Sequence, residues 1–460
     1  MRIQGSTKKY IFNFTSVILF ISQAIYVSNI PVLSIQITFT LLVTIYIVLN
    51  FFKHPSKVIN SIASEPAELF ILIGIYLIYV KFANRSTVHS NIQPLYLCAL
   101  YGLPSILYCI ALMIYCGKSC DNFVRLMNAF LGVVILSFSI YALGLIYPDQ
   151  LFAFRYFVYG SSYDELLLSN SVGSSELFWT AGLSPYLYLF GYQVSAGSAL
   201  ILVLLLTTPR NHGFWLLIFL LSMLNVVCVA QRSNVPALTA AMLTFIIVEK
   251  QTTNNIQRFI KKYGRILFLF SCIGLMVFVG RLIMDGYYYE KNVSIMQDRL
   301  NSDDVRVRLG MQLAALKIIM NNPFGVSSLD LEEERWGLLA EKLGYNVVSD
   351  SNQIDYALVH NGFLRIILYE GWFVGLIILF ILLYLGKKGL SIIRILGSSL
   401  NIDKELKRYS LASLCVFISI FVQSNFHNDS FFTLERNSII TLMIFLTSTK
   451  VIKKQSTFYE

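Results

Sequence analysis

The chain has 460 residues, 56% of them hydrophobic and only 13% charged, with a formal net charge of +10. Soluble domains carry about 25% charged residues, so this composition leaves too little polar surface for a water-soluble fold. Its apolar runs instead approach the roughly 20-residue length that crosses a bilayer core.

Taken in order, the chain opens with Arg2, Lys8 and Lys9 ahead of an apolar run at 11–28. This resembles a signal peptide, but no A-x-A site follows and another span begins almost at once, so a retained first helix is expected. Further spans are predicted at 32–52, 66–83, 92–115, 124–147, 184–208, 213–230, 234–249, 266–283, 361–385, 409–426 and 436–450. The expected fold is therefore all-α, a polytopic membrane bundle of about twelve transmembrane helices. Pro104 is read as an interruption of the fourth span.

With the N-terminus inside, the inner segments take more than half of the 36 Lys and Arg residues, and the outer segments are left net negative. That is the positive-inside pattern, with both ends of the chain cytoplasmic. The positive charge is thus a topology signal and gives no ground for nucleic-acid binding. The reading divides the chain into spans one to nine (1–283), a large outer loop (284–359) and spans ten to twelve (360–460). A shorter outer loop lies near 148–183. The seven cysteines lie in spans or near Lys118 and give no disulfide framework. Cys116 and Cys120 lack neighbouring metal ligands.

The large outer loop is expected to be a helical subdomain. Ser302, Asp303 and Asp304 suit a helix N-terminus, Val305 to Met320 form an amphipathic helix, and Asn321-Asn322-Pro323 ends it. Arg308, Gln312, Ala315 and Ile319 share one face, while Arg306 points elsewhere. A second helix is expected from Asp330 to Leu343, with Gly344 as its stop.

The stretch Val307-Arg308-Leu309-Gly310-Met311-Gln312-Leu313-Ala314-Ala315, then Ile318-Ile319 and Asn322-Pro323-Phe324-Gly325, resembles the signature of the O-antigen ligase and polymerase superfamily. His360-Asn361-Gly362-Phe363-Leu364, followed by Glu370-Gly371 and Gly375, is similar to that family's second segment at the start of a span. Two positions depart from the pattern: Gln312 stands where an aromatic residue is usual, and Val326 follows Gly325 without the second glycine.

The resemblance implies a membrane glycosyltransferase of the Wzy polymerase type at the periplasmic face of the inner membrane. Its substrate would be an undecaprenyl-pyrophosphate-linked oligosaccharide, with a chain-length regulator and a flippase as partners beside membrane lipid. Breaking the sugar–pyrophosphate bond develops negative charge, which a guanidinium fork suits. Arg308 is the first candidate for that task, and Arg232, in Gln231-Arg232-Ser233, is the second. His360 is the candidate base toward an acceptor hydroxyl. Asn361, His427 and Arg306 form a second tier. With no Asp-x-Asp cluster in the motif region and arginines for charge stabilisation, no metal and no cofactor is expected.

Blander readings cover the rest. Gly371 and Gly375 form a small-xxx-small pair suited to helix packing. Trp336 and Trp372 suit interfacial anchoring, and Arg155 with Tyr156 and Tyr159 in the first outer loop could touch sugar, although aromatic residues near an interface need no such role. An O-antigen ligase would share the donor and site chemistry. The long Ile- and Tyr-rich chain with its extended second outer loop favours the polymerase. A lipid-linked sugar flippase is the alternative of another class; transporters commonly show matched halves and mid-membrane sites, whereas the polar candidates here stand at the outer boundary.

Overall fold

The computed structural model describes residues 14–28, 32–63, 66–86, 98, 102–159, 182–184, 187–208, 211–228, 233–252, 303–327, 359–398 and 402–457. The structure is all-helical, 90% helix, with no strand among the described residues. The helices in chain order are α1 (Phe14–Val27), α2 (Leu33–Lys53), α3 (Pro55–Ala63), α4 (Pro66–Ser86), α5 (Leu103–Lys118), α6 (Cys120–Ile146) and α7 (Pro148–Tyr159). They continue with α8 (Leu187–Thr207), α9 (His212–Cys228), α10 (Asn234–Thr252), α11 (Asp303–Asn321), α12 (Gly362–Ser398), α13 (Lys404–Ser424) and α14 (Arg436–Thr457). A 3-10 turn, Phe431–Thr433, precedes α14.

Five helices among the described residues are long and apolar enough to cross a membrane: Leu33–Lys53, Pro66–Arg85, Cys120–Gly144, Leu189–Thr207 and Gly362–Gly397. Their surfaces say what surrounds them. Of α2's most apolar stretch only 17% is buried, and Leu41, Leu42, Ile45 and Phe52 lie exposed on it. On α12, Phe373, Phe380 and Leu383 are likewise exposed. Apolar surface this extensive is not left against water in a soluble monomer, and a helix apolar all round is at home either in a core or in lipid.

The centre is built differently. The most apolar stretch of α8 is fully buried, and α13 packs against α8, α10 and α14. These central helices carry polar groups that bond their neighbours: Ser222 Oγ of α9 bonds Ser198 Oγ of α8 at 2.6 Å, and Ser419 Oγ of α13 donates to the Ser195 carbonyl of α8 at 3.1 Å. Small hydroxyl residues let backbones approach closely and supply interhelical bonds where lipid offers none.

Hydrogen bonds join the helix ends in two sets. At one pole Arg436 reaches Gln36 (2.8 Å), Asn437 reaches the Val27 carbonyl (3.4 Å) and Arg85 reaches the Tyr369 carbonyl (2.6 Å). At the other, Lys118 reaches Asn50 (2.5 Å), Lys450 the Ser61 carbonyl, and Lys388 pairs with Glu68 (3.6 Å).

Several expectations change. Pro104 stands in the first turn of α5, where a missing N–H is tolerated, and Gly102 before it has helical backbone angles (φ −72°, ψ −57°); residues 92–97 and 99–101 of the predicted fourth span lie outside the described residues. The tenth span runs on past Lys387 and Lys388 to Ser398, because Lys388 finds Glu68 and the Tyr384 ring rather than ending the helix. Gly371 is not a helix-packing residue. It breaks α12 with φ +81° and ψ −176°, while Gly375 faces Ile367 of the same helix. The expected outer loop near 148–183 opens with helix α7, in which Arg155 is buried, donating to the Ser184 carbonyl at 3.1 Å and lying over Tyr159. The helix expected over Val305–Met320 is α11. The ninth span, the second loop helix with Trp336, and Ser302 lie outside the described residues.

Candidate functional site

The second motif segment sits where α12 begins. Its first helical amides need acceptors, and Asn361 supplies one: its Oδ1 accepts from Phe363 N (3.1 Å) and Leu364 N (3.0 Å). The preceding residue, His360, adopts the left-handed conformation at φ +51°, uncommon for a residue with a side chain. Both of its main-chain groups are engaged. The N–H donates to Asn428 Oδ1 at 2.7 Å, and the carbonyl accepts from Gln312 Nε2 at 3.1 Å. His360 is thus fixed between α11 and the loop joining α13 to α14.

That loop carries His427, half-buried, with Nε2 2.8 Å from Ser233 Oγ and its ring 5.4 Å from that of Tyr192. The Tyr192 hydroxyl donates to the Asp429 carbonyl at 2.5 Å. Arg365, one turn into α12, reaches Asp429 Oδ1 at 3.6 Å and the Asn428 carbonyl at 3.4 Å, and lies over Phe82. Asn361 Nδ2 adds a bond to Asn425 Oδ1 at 3.4 Å. Beneath the loop, Ser195 Oγ lies 2.9 Å from Asn234 Oδ1 and 3.0 Å from Gln423 Oε1, all three residues buried. The result is a polar floor at one end of an apolar bundle.

The two motif segments also lock together through backbone. The interruption of α12 at Gly371 releases groups that an unbroken helix would pair with each other. Leu368 O accepts from Val326 N at 3.0 Å, and Trp372 N donates to Pro323 O at 2.8 Å. The Trp372 indole, half-exposed, donates to the Ile319 carbonyl at 3.1 Å. A Cβ on Gly325 would stand 2.3 Å from Tyr369 O, and one on Gly371 would stand 2.2 Å from Pro323 O. Both glycines have positive φ, +79° and +81°. Only glycine meets both demands. The end of α4 clamps the joint: Arg85 donates to Phe324 O (3.0 Å) and Tyr369 O, and Lys81 Nζ meets the buried Glu370 carboxylate at 2.9 Å.

The structure therefore brings His360, Asn361 and His427 into one cluster, with Ser233 marking the turn next to Arg232. Arg232 itself lies outside the described residues. Arg308 stands in α11 one turn before Gln312, and Arg306 half a turn earlier still; the side chains of both lie outside the described set. His427 pairs with Ser233, the residue that follows Arg232 in sequence.

Sequence reasoning missed Gln312, Arg365, Asn428, Asp429, Lys81 and Arg85 as site-building residues. Gln312 did carry a signal, being the polar departure from an aromatic position. So did the polar run Asn425 to Ser430 between two apolar spans.

Beside the loop, Glu435 is buried, and burial pushes its carboxyl up from the ordinary 4.5 to about 7. Hydrogen bonds from Asn437 and Ser438 oppose that rise. Its Oε2 accepts from Ser438 N at 2.6 Å and its Oε1 from Asn437 N at 3.0 Å, so it caps α14. Among the described residues no three His, Cys, Asp or Glu side chains converge as metal ligands. No known family model matches the chain, and no curated protein sequence matches it.

Proposed function

We propose that the chain is a polysaccharide polymerase of the O-antigen type. It would join undecaprenyl-pyrophosphate-linked repeat units at the periplasmic face of the inner membrane through about twelve spans and a helical loop at 284–359. An acceptor sugar hydroxyl attacks the anomeric carbon of the donor glycan, and the bond from that carbon to the pyrophosphate oxygen breaks. His360 takes the hydroxyl proton, and Arg308 and Arg232 hold the departing lipid pyrophosphate. Asn361 and Gln312 position the His360 backbone, and no metal takes part.

The observation that carries this reading is the convergence at His360. Its main chain ties the loop helix of the first motif to the loop of His427, and the first motif's Gly325 nests on the second motif's Gly371. A signature whose two halves are distant in sequence and interlocked in space is consistent with one site.

The test is transfer by the purified full-length chain in proteoliposomes, using lipid-linked repeat units and no ion gradient. Arg308→Ala and His360→Ala should insert normally and lose polymer. Arg308→Lys should recover little, because an ammonium lacks the fork. Wild-type polymer from both alanine variants at equal protein level would remove these residues from the mechanism. Vectorial movement of lipid-linked sugar without chain growth would point to a flippase instead. A deletion strain decides the acceptor: the polymerase reading expects single repeat units on lipid A–core and no ladder. Bare core with long lipid-linked chains would identify a ligase.

A further inference from the structure

A cleft between α10, α12 and α13 holds two cavities in succession. The first, of about 310 Å³, is walled by apolar side chains that include Ile247, Leu382, Ile393, Phe417 and Phe421. Its space comes from missing side chains. A Cβ on Gly386 would find nothing within 4 Å, and one on Gly389 only Leu414 and Phe445 side-chain atoms at 3.6 and 3.9 Å. Ile247 and Leu390, which line it, are exposed, so the cleft opens sideways onto the apolar surface.

The second cavity, of about 250 Å³, continues along the same helices, from Ile247 to Glu249 on α10, Ile393 to Leu396 on α12 and Leu414 to Leu411 on α13. Its character is opposite. Lys404, Lys407 and Arg408 line it against one acid, Glu249. Among the described residues none of these three cations is in an ion pair. Arg408 Nε is buried and has no hydrogen-bond partner. α12 begins at the His360 cluster and ends at this mouth, so the two lie at opposite poles of the bundle.

We propose that the cleft binds an anionic phospholipid, with its phosphate at Lys404, Lys407 and Arg408 and an acyl chain along Gly386 and Gly389. The amphipathic order of the cleft selects this occupant. A soluble phosphate would leave the apolar cavity unfilled, and a zwitterionic lipid would leave the excess cationic charge uncompensated. Basic pockets between membrane helices are suited to such headgroups, and guanidinium adds a fork for phosphate oxygens. The site is independent of the glycosyl-transfer reading and stands or falls without it.

The test uses the purified full-length chain in dodecyl maltoside, with lipid binding followed by native mass spectrometry and thermal melting. The probes are dioleoyl-phosphatidylglycerol, dioleoyl-phosphatidylcholine, glycerol phosphate and undecaprenyl phosphate. Phosphatidylglycerol should bind at least about tenfold more tightly than phosphatidylcholine and raise the melting temperature as a native-state ligand does. Lys404→Ser with Lys407→Ser should bring the two lipids level. Gly386→Leu, which meets no atom within 4 Å at its Cβ, should weaken phosphatidylglycerol binding without lowering the lipid-free melting temperature. Equal binding of the two lipids, or a preference that survives the double lysine change, overturns the proposal. So does glycerol phosphate acting as well as the lipid, or undecaprenyl phosphate displacing it.

Discussion

His360 combines two demands that substitution can separate. Its left-handed backbone is unfavourable for a residue with a Cβ and free for glycine. His360→Gly should therefore insert and melt at or above the wild-type temperature while losing polymer formation in the proteoliposome assay. Unchanged transfer would mean that only the main chain matters there. Asn361→Ala removes a helix cap worth about 1 kcal/mol and should lower the melting temperature by a few degrees. Glu435 gives the pH dependence. Its carboxyl keeps a proton in the folded chain up to about 7, against 4.5 ordinarily. The stability it adds is full below 4.5 and is lost as pH rises through 7. Melting between pH 5 and 8 should show a fall that Glu435→Gln flattens; an unaltered slope in that variant would assign the dependence elsewhere. At this scale the sequence exposed the histidines and the capping asparagine, because their residue types are rare in apolar runs. It could not expose Gln312 or Asn428 as partners of one backbone unit, since those contacts join positions far apart in the chain.

Among the elements, α12 shows what pattern reading can and cannot reach. Its apolar run located the helix, but the same run concealed the break at Gly371, whose cause is the Pro323–Gly325 turn packed against it. Hydrophobic periodicity records which face is buried, not which backbone bonds are traded across elements. Gly325→Ala and Gly371→Ala should each cost more than about 1 kcal/mol from backbone conformation alone. The overlap with opposing carbonyls adds to that, and size-exclusion profiles of fluorescent fusions should show loss of the monodisperse peak. The Lys81–Glu370 pair makes a second test. Lys81→Ala strands a buried carboxylate, a loss on the order of 1–3 kcal/mol. Adding Glu370→Gln removes the charge and should restore most of the melting temperature. Additive losses in the double variant would show that the pair is not coupled.

For the whole molecule, charge and hydropathy were enough to predict an all-helical chain with helices apolar enough to cross a membrane. Single cysteines at Asn428 and Lys404, in a background without native cysteines, should label with an impermeant thiol reagent on opposite sides; labelling of both from outside intact spheroplasts contradicts the alternation. The central helices carry a consequence for biogenesis. α13 and α14 are synthesised after α5, α8 and α10, yet they pack against them, and their buried serines, threonines and Gln423 oppose partition into lipid unaided. The groove between α8 and α10 that α13 fills then stays open until the translocon delivers this pair. A ribosome stalled before Lys404 would present Ser195 and Asn234 to hydrocarbon, giving a membrane protease an exposed polar seam that the finished chain never shows.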